Sequence, residues 1–522
     1  MTPDIQNYKQ FTKIEKILLK KPLVVIIHVT DTYFIEETTV NGDVDLPGFA
    51  RLYSLIDFIK SNPHVKNNGI PVLILHGGDF LFPSLMSVYF KGQQMIDVLN
   101  ACSFDYCTIG NHDFDGGKKH LNTRMAEATF DVVCANIKSK KNIPSLRIRE
   151  YVICQNRNNQ PFVAIVGIAG KATLRKAQQN GFDVFPIKSL LKQVIAKIRE
   201  RYPKLNHLIV LSHMNNQEDV NLKEWLNKNW KGYAYLLGGH DHNEILQYNK
   251  NQPKSILVKG QSNCRTVQIL GLHDGKNYQD TKWFEKNILV LHSKVLSDIT
   301  TNPKIQKIVM KWENLLEKHL KEKESDEIIK QFDKNTVLNA TELDLRKGST
   351  NFGNFIADCM SEFTKSDLAF VNSGHFRGDR KMGSAIKLSD LRRVFVLDKK
   401  DALVKITMTN AECKKFLKHA YSEEGRGKVL QVSKNVIKVL QKSTQKDKFT
   451  VVMLWDMLKT DDDGFTTILA NSRKTTVSKL QSKLKKHIIS NSSLFDVIRL
   501  SSKDVKYDSK IRMSVNSFKN YF

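Results

Sequence analysis

The 522-residue sequence lacks any long apolar run. Its most apolar segments, such as "PLVVIIHV" and "PVLIL", are far shorter than the roughly 18 to 20 residues that a membrane-spanning helix needs. The N-terminal segment carries charges where a signal peptide needs an apolar region, and the C-terminal segment "RMSVNSFKNYF" has no hydrophobic tail for a lipid anchor. We therefore expect no membrane span, no secretion and a cytoplasmic location.

The sequence also lacks cysteines at the spacings that disulfide frameworks and zinc sites use. The seven cysteines are odd in number and scattered, and none follows the C-x-x-C spacing. This pattern predicts reduced thiols and excludes both a disulfide framework and a cysteine-based zinc site. The sequence likewise contains no internal repeat and no low-complexity tract.

Acidic residues are outnumbered: 54 Asp and Glu stand against 81 Lys and Arg, which gives a net charge of +27. Such a charge can attract nucleic acid or an acidic protein surface. The excess is largely lysine, however, together with many Asn and Ile, and an AT-rich coding genome produces that composition without any partner. The densest basic segment, residues 478–487, has Leu480 and Leu484 one helical turn apart, which favours a surface helix over a nucleic-acid site.

Length and composition predict a globular protein of two or three domains, since hydrophobic residues make up 41% and charged residues 26% of the chain. Short β-branched runs alternate with helical patterns from the first apolar run onward, which indicates an α/β domain. A long amphipathic pattern follows, and a second mixed α/β region comes after it. We predict an N-terminal extension at 1–22, a first domain at 23–300, a linker helix at 301–333 and a second domain at 334–522.

Polar side chains end five of the apolar runs in the first domain. In chain order these positions are Asp31; Asp79; Asn111, His112 and Asp115; His213; and His240 and His242. Taken singly, a Gly-Asp after a strand is usually a turn, and a lone histidine is usually structural. Taken together, carboxylate, amide and imidazole groups at successive strand ends are the ligands that a dinuclear divalent-metal site needs.

The ordered set resembles the metallophosphoesterase (calcineurin-like) superfamily, and specifically its 5′-nucleotidase branch, with "GNHDFD" and "GGHDH" the most specific motifs. The segments "STNFGNFIADCM", "DLAFVNSGHFR", "VLQVS" and "DDGF" are similar to the C-terminal, substrate-binding domain of that family. The resemblance implies a four-layer β-sandwich flanked by helices and a second mixed α/β domain.

By resemblance, two divalent ions such as Zn, Mn or Mg would be held by six side chains. Asp79 would bridge them, Asp31 and His242 would complete one site, and Asn111, His213 and His240 would complete the other. His112 would act on the substrate phosphate or on the leaving group, with Asp115 fixing its tautomer. The alternative for the acidic residues of this motif is that Asp113 and Asp115 cap the helix that follows.

In the second domain, the resemblance implies that Asn372 and Arg377 contact the substrate and that Phe465 forms one face of an aromatic clamp around the base. Arginine suits such a place because its planar fork can hold an oxyanion. Arg377 as a surface residue and Phe465 as a core aromatic are the plain alternatives.

Three positions depart from the family pattern. Tyr33 stands where many relatives have a ligating histidine, and a phenol is the weaker ligand at neutral pH because its ordinary pKa is about 10. Asp398 and Lys399 replace a Pro-Phe pair whose aromatic ring would complete the base clamp. Lys434 replaces a glycine beside the pocket.

Two functional hypotheses follow. The first is a hydrolase, a metal-dependent phosphomonoesterase acting on nucleotide monophosphates or related phosphate esters. The second is a catalytically weakened nucleotidase-like subunit that serves a larger assembly, with its basic surface on an acidic partner such as tubulin or nucleic acid, in a cytoskeletal or ciliary setting. The retained ligands favour the enzyme.

Overall fold

The computed structural model describes residues 9–40, 43–139, 148–156, 158–248, 254–273, 286–323, 327–396, 402–422, 427–433, 436–459, 463–490, 494–502 and 505. The chain forms two compact units, Met1–Leu316 and Glu317–Phe522, and each is described here by itself. The division falls inside the predicted linker segment, and the three boundaries between the four predicted segments remain predictions.

The first unit contains the following strands: β1 (Val24–Val29), β2 (Thr38–Val40), β3 (Asp43–Leu46), β4 (Val72–His76), β5 (Tyr106–Cys107), β6 (Asp131–Val133), β7 (Ile137–Lys138), β8 (Ile148–Arg149), β9 (Tyr151–Gln155), β10 (Pro161–Ala169), β11 (Asp183–Val184), β12 (His207–His213), β13 (Tyr233–Gly238), β14 (Ile245–Tyr248), β15 (Ser255–Lys259), β16 (Thr266–Leu272) and β17 (Ile288–His292). Its helices are α1 (Lys9–Leu19), α2 (Gly48–Ser61), α3 (Pro63–Asn68), α4 (Leu85–Phe90), α5 (Gln93–Ala101), α6 (Lys118–Glu127), α7 (Lys171–Gln179), α8 (Ile187–Arg201), α9 (Asn216–Asn229) and α10 (Ser293–Leu296).

Two sheets form the centre of this unit. Among the described residues, the first sheet has the order β17-β16-β1-β4-β5-β6-β8, and the second has the order β14-β15-β13-β12-β10-β9. Strands β1, β4, β5 and β6 run parallel to one another in the first sheet, as β10, β12, β13 and β15 do in the second. Parallel strands place their carboxyl ends at one edge of each sheet.

The pattern of buried residues shows how the layers stack. On β10, Val163 and Ile165 pack in a core shared with Val24 and Ile26 of β1, so these faces of the two sheets meet. The adjacent Val166 faces the other way and packs in the core that α8 and α9 complete. On the outer side of the first sheet, the Phe104 ring lies between His76 of β4 and Phe49 of α2. The predicted sandwich of sheets flanked by helices is confirmed.

Helix α11 (Pro303–Lys323) begins where Asn302 accepts hydrogen bonds from the backbone N–H groups of Lys304 and Ile305. It is shorter than the predicted linker helix at 301–333. Ile328–Gln331 forms strand β18 instead, because this segment pairs with Ala385–Lys387 and buries Ile329. The sequence pattern therefore predicted helix for Ile328–Gln331, which form a strand.

The second unit contains β18, β19 (Leu338–Ala340), β20 (Leu368–Asn372), β21 (Arg380–Met382), β22 (Ala385–Lys387), β23 (Leu403–Thr409), β24 (Leu430–Val432), β25 (Lys448–Leu454) and β26 (Ile488–Ser490). Its helices are α12 (Glu342–Leu345), α13 (Asn351–Thr364), α14 (Leu388–Val394), α15 (Asn410–Ala420), α16 (Val436–Lys442), α17 (Trp455–Lys459), α18 (Phe465–Ser472), α19 (Val477–Leu484) and α20 (Leu494–Ser501). A mixed sheet of order β24-β20-β25-β23-β26 forms its core with α13.

The basic segment 478–487 lies on α19 and the 3-10 turn after it. Leu480 and Leu484 are buried, and Lys479 and Lys483 are exposed, as their spacing predicts. Over the whole described part of the chain, no helix combines the length and the apolar character needed to cross a membrane.

At Gly167 in β10 the backbones of the two sheets come into direct contact. A Cβ atom added there would lie 1.7 Å from the Val133 carbonyl oxygen at the end of β6, and the Gly167 carbonyl accepts a hydrogen bond from Ala135 N at 2.8 Å. Only a residue without a side chain fits between these backbones.

We expect Gly167→Ala to lower the free energy of unfolding by about 1 to 3 kcal/mol, because overpacking against backbone cannot be relieved by a rotamer change. Urea denaturation followed by circular dichroism would measure this loss. Gly383→Ala is the matched control, since an added Cβ there meets no atom within 4 Å. Equal stability of the two variants would contradict the argument.

Candidate metal centre

The first sheet brings two aspartates together at the carboxyl ends of β1 and β4. Asp31 and Asp79 are 0% and 1% exposed, and both adopt left-handed backbone conformations, with φ angles of 51° and 57°. Gly78, which precedes Asp79, has a φ of 90°, and a Cβ on it would lie 2.7 Å from His213 Nδ1. Glycine is required here because the turn passes directly beneath an imidazole ring.

The second sheet supplies three imidazoles from β12 and the loop after β13. His213 Nδ1 lies 2.8 Å from the Gly77 carbonyl oxygen, which turns Nε2 toward Asp79 Oδ2 at 3.2 Å. His242 Nε2 lies 3.2 Å from Asp31 Oδ1. The backbone N–H of His240 donates to Asp31 Oδ2 at 3.0 Å, and the rings of His213 and His240 are 5.2 Å apart between centroids.

These groups fit a metal ion. Ligand atoms of Asp31, Asp79 and His213 all lie within 4.8 Å of one another. His213 Nε2 faces Asp79 Oδ2 at 3.2 Å without a well-directed hydrogen bond, and Asn111 Oδ1, next in sequence to His112, is buried and makes no hydrogen bond to any described residue. Two buried carboxylates and an imidazole nitrogen whose ligand atoms converge in this way fit a cation between them, and a buried amide oxygen that lacks a donor on a neighbouring loop is a further potential ligand.

Tyr33 belongs to the same cluster. Its hydroxyl lies 2.8 Å from His242 Nε2, 3.3 Å from Asp31 Oδ1 and 3.4 Å from Asp79 Oδ2, and the residue is 4% exposed. Ligand atoms about 2.0 to 2.2 Å from one cation lie about 2.9 to 3.5 Å from each other. The phenol hydroxyl therefore lies among Asp31, Asp79 and His242, within hydrogen-bond distance of all three, and does not pack away from them.

The charges in the cluster shift the pKa values of its members. Burial opposes ionisation of Asp31, yet His242 and His213 hold its pKa below the usual range. Burial likewise opposes ionisation of Asp79, but His213 and His112 lower its pKa to about 2. For His213, burial disfavours the charged ring, and Asp79 and Asp31 nevertheless raise its pKa to about 10. Two buried carboxylates thus attract positive charge, which a divalent ion can supply in place of the histidine proton.

His112 lies beside the cluster on a short 3-10 helix, His112–Phe114. Its backbone N–H donates to Asp79 Oδ1 at 2.7 Å, and its ring Nδ1 lies 2.6 Å from Asp115 Oδ2. The other oxygen of Asp115 accepts from Lys176 Nζ at 2.8 Å, and burial, which alone would raise the pKa of Asp115, is outweighed by His112 and Lys176. Lys176 was not among the residues predicted from the sequence.

Asp113 is the second residue that the sequence analysis missed as part of the site. Its carboxylate accepts four backbone hydrogen bonds of 2.8 to 3.0 Å, from Asp79, Phe80, Leu81 and Gly110. The helix-cap alternative for Asp113 and Asp115 does not describe the structure, because α6 begins after Gly117 without any side-chain cap. Three of the partners of Asp113 lie more than thirty residues upstream, so no local spacing in the sequence could reveal them.

The predicted substrate residues of the second unit have different environments. Asn372 at the end of β20 donates to Asp463 Oδ2 at 3.2 Å, and its Oδ1 lies 2.6 Å from His375 Nδ1. Arg377 is half-buried, and its backbone N–H donates to Val394 O at 2.7 Å.

Phe465 is fully buried, with its ring 5.0 Å from that of Phe416 and 5.4 Å from that of His419. In this structure the Phe465 ring is a core aromatic, and its role in a clamp around the base stays a prediction. A base could stack on it only after neighbouring groups had moved. The departures at Asp398, Lys399 and Lys434 lie outside the described residues.

Comparisons with known proteins match both halves of the chain. Residues 24–244 match the calcineurin-like phosphoesterase family, and residues 329–469 match the 5′-nucleotidase C-terminal domain. The 5′-nucleotidase of Bos taurus is 24% identical over 446 residues, which cover 78% of this chain and 74% of that protein.

Among solved structures, a 5′-nucleotidase precursor from Thermus thermophilus superposes with a TM-score of 0.65 at 16% identity, over 94% of this chain and 99% of that one. The sulfate thiohydrolase SoxB of Thermus thermophilus superposes with a TM-score of 0.60 at 14% identity, over 89% of this chain and 95% of that one. Because these two proteins are named for different substrates, the shared fold does not by itself identify a substrate.

We expect Asp113→Ala to lower the free energy of unfolding by at least about 3 kcal/mol in metal-free buffer, because four buried N–H groups lose a common acceptor. Chemical denaturation in the presence of EDTA would measure this loss. Asp183→Ala, at an exposed position of β11, is the control and should change stability by less than about 0.5 kcal/mol. If the two alanine variants were equally stable, Asp113 would not hold the two loops together.

Proposed function

Because the chain belongs to the calcineurin-like metallophosphoesterase superfamily and carries a 5′-nucleotidase C-terminal domain, we propose that it is a metal-dependent phosphomonoesterase that hydrolyses nucleotide monophosphates or related phosphate esters. The observation that carries this proposal is the buried cluster of Asp31, Asp79 and His213, whose ligand atoms all lie within 4.8 Å of one another. The neighbouring His112–Asp115 pair places an acid–base group beside that cluster.

The proposed cofactor is a pair of divalent ions. One would be held by Asp31, His242, Asp79 and the hydroxyl of Tyr33, and the other by Asp79, Asn111, His213 and His240. When bound, such ions neutralise phosphate charge and lower the pKa of a coordinated water. Carboxylate, amide and imidazole donors suit manganese, zinc and magnesium to different degrees.

The protein's own groups prepare the site for the reaction. Asp79 is held by the backbone N–H of His112, so the metal-binding loop and the acid–base loop keep one fixed spacing. Asp115 Oδ2 lies 2.6 Å from His112 Nδ1, and Nε2 is the nitrogen proposed to serve the substrate. With both nitrogens protonated, His112 can donate from Nε2 to a phosphate oxygen or to the leaving group.

Nucleotide specificity is the finer part of the proposal and is supported by relatives that are named 5′-nucleotidases. Asn372 and Arg377 are the proposed substrate contacts in the second unit. The alternative hypothesis of a structural subunit gains no support from the comparisons, and no feature of the described residues points to tubulin or nucleic acid as a partner. The cytoplasmic location remains a prediction.

We expect the purified chain to release phosphate from nucleotide monophosphates with a divalent ion, and Asp79→Asn to reduce the rate by at least about a hundredfold. Metal content by mass spectrometry should fall in the same variant. Asp183→Asn serves as the control for loss of a carboxylate elsewhere. The panel should include ribose 5-phosphate and an aryl phosphate, because equal rates on these would remove the nucleotide preference while keeping the phosphatase. A wild-type chain that binds no metal and releases no phosphate would sink the proposal.

We expect Tyr33→Phe to weaken the binding of one of the two ions by at least about tenfold, because the variant loses the hydroxyl among Asp31, Asp79 and His242. Tyr33→His should restore a donor atom and tighten binding relative to Tyr33→Phe. Isothermal titration with Mn²⁺ would give both affinities and the stoichiometry. Identical titrations for the wild type and Tyr33→Phe would show that the hydroxyl is not a ligand.

A further inference from the structure

Lys259, the last residue of β15, is a fully buried lysine with 0% exposure. Its ammonium group lies 2.8 Å from Asp219 Oδ2, 2.9 Å from Asp241 Oδ2 and 2.8 Å from the carbonyl oxygen of Met214. These three acceptors match the three donors of an ammonium group. Lysine is almost never buried unless it is paired, so a buried ammonium at this position requires that all three acceptors stay within hydrogen-bond distance of it.

The partners of Lys259 belong to the segments that carry the imidazoles. Met214 directly follows His213, and Asp241 lies between His240 and His242. The third partner, Asp219, comes from α9 and anchors the ammonium from the helical layer. One cation therefore connects both histidine-bearing segments and ties them to a helix that carries no proposed ligand.

Sheet geometry explains why a single residue can do this. Strands β12, β13 and β15 are parallel neighbours, with Ser212 opposite Gly238 and Gly238 opposite Lys259. Strand β12 ends one residue after Ser212, and β13 ends at Gly238, so the ends of both strands lie close to the level of Lys259 on the third strand, whose ammonium contacts the segments that follow them. Backbone pairing fixes the strands, but the two loops beyond them need a separate contact to keep their spacing.

From this arrangement we infer that Lys259 is a positioning residue for the metal centre. Its ammonium sets the distance between His213 and the His240–His242 segment, so metal affinity depends on a side chain that touches none of the proposed ligand atoms. The inference rests on the proposed function, because it assumes that these histidines bind metal.

A buried ion pair that merely supports the core would lower stability when removed and leave metal affinity unchanged. The full chain offers a matched control for that possibility. Lys223 on α9 is 2% exposed, and its ammonium lies 3.2 Å from Glu224 on the same helix. Lys223→Met removes a buried lysine from the same layer without cutting any contact to the histidine segments.

The experiment compares Mn²⁺ dissociation constants by isothermal titration in the wild type, Lys259→Met, Asp241→Asn and Lys223→Met. We expect the first two variants to bind at least about tenfold more weakly and the third to stay within about twofold of the wild type. The visible spectrum of the Co²⁺-loaded protein gives a second measure, since it reports coordination geometry. It should change in Lys259→Met and remain unchanged in Lys223→Met.

Wild-type affinity and an unchanged Co²⁺ spectrum in Lys259→Met would overturn the inference and leave the proposed function intact. A wild-type chain that binds no divalent ion would overturn both. If Lys259→Met fails to fold, Asp241→Asn carries the test, because it keeps the side-chain volume and weakens only the link to the His240–His242 segment. Wild-type affinity in that variant would then refute the positioning role.

Discussion

Two carboxylates, those of Asp31 and Asp79, are buried side by side where the parallel strands of the first sheet end. Burying two like charges is costly unless compensating charge and hydrogen bonds surround them. The structure meets this requirement with imidazoles from the second sheet, with the backbone N–H groups of His112 and His240, and with the hydroxyl of Tyr33. The two sheets are therefore joined by electrostatics at this edge as well as by the apolar core between them.

The loops that follow the parallel strands are held by buried polar contacts that do not involve the proposed ligand atoms. The Asp113 carboxylate accepts hydrogen bonds from four backbone N–H groups in two loops of the first sheet. The Lys259 ammonium donates to acceptors in two loops of the second sheet. Both are buried, and both act on backbone or on groups next to the ligands. A site held in this way is organised before a metal or substrate arrives, which is the condition under which fixed dipoles and charges are most effective.

The two units differ in how closely they follow the pattern that the family resemblance implies. In the first unit the replacement of histidine by Tyr33 keeps a polar atom in the ligand cluster. In the second, Phe465 lies in the core, against Phe416 and His419, where a base cannot reach it without rearrangement. The described residues therefore keep a polar cluster at the sheet edge of the first unit, while the Phe465 ring of the second unit is enclosed by its neighbours.

The sequence by itself determined the α/β class, the strand ends that carry Asp31, Asp79, Asn111, His213, His240 and His242, and the family resemblance, because these depend on local periodicity and on motifs a few residues long. The sequence also showed that Tyr33 stands where many members of the family have histidine, but it did not show where the Tyr33 hydroxyl lies. The tertiary structure decided that point, together with the bounds of helix Pro303–Lys323, the core position of Phe465 and the polar contacts of Asp113, Lys176 and Lys259. Each of these depends on partners from distant parts of the chain. Whether a polar side chain binds a loop, a ligand or solvent is settled only when the strands bring those partners to the same edge of the sheets.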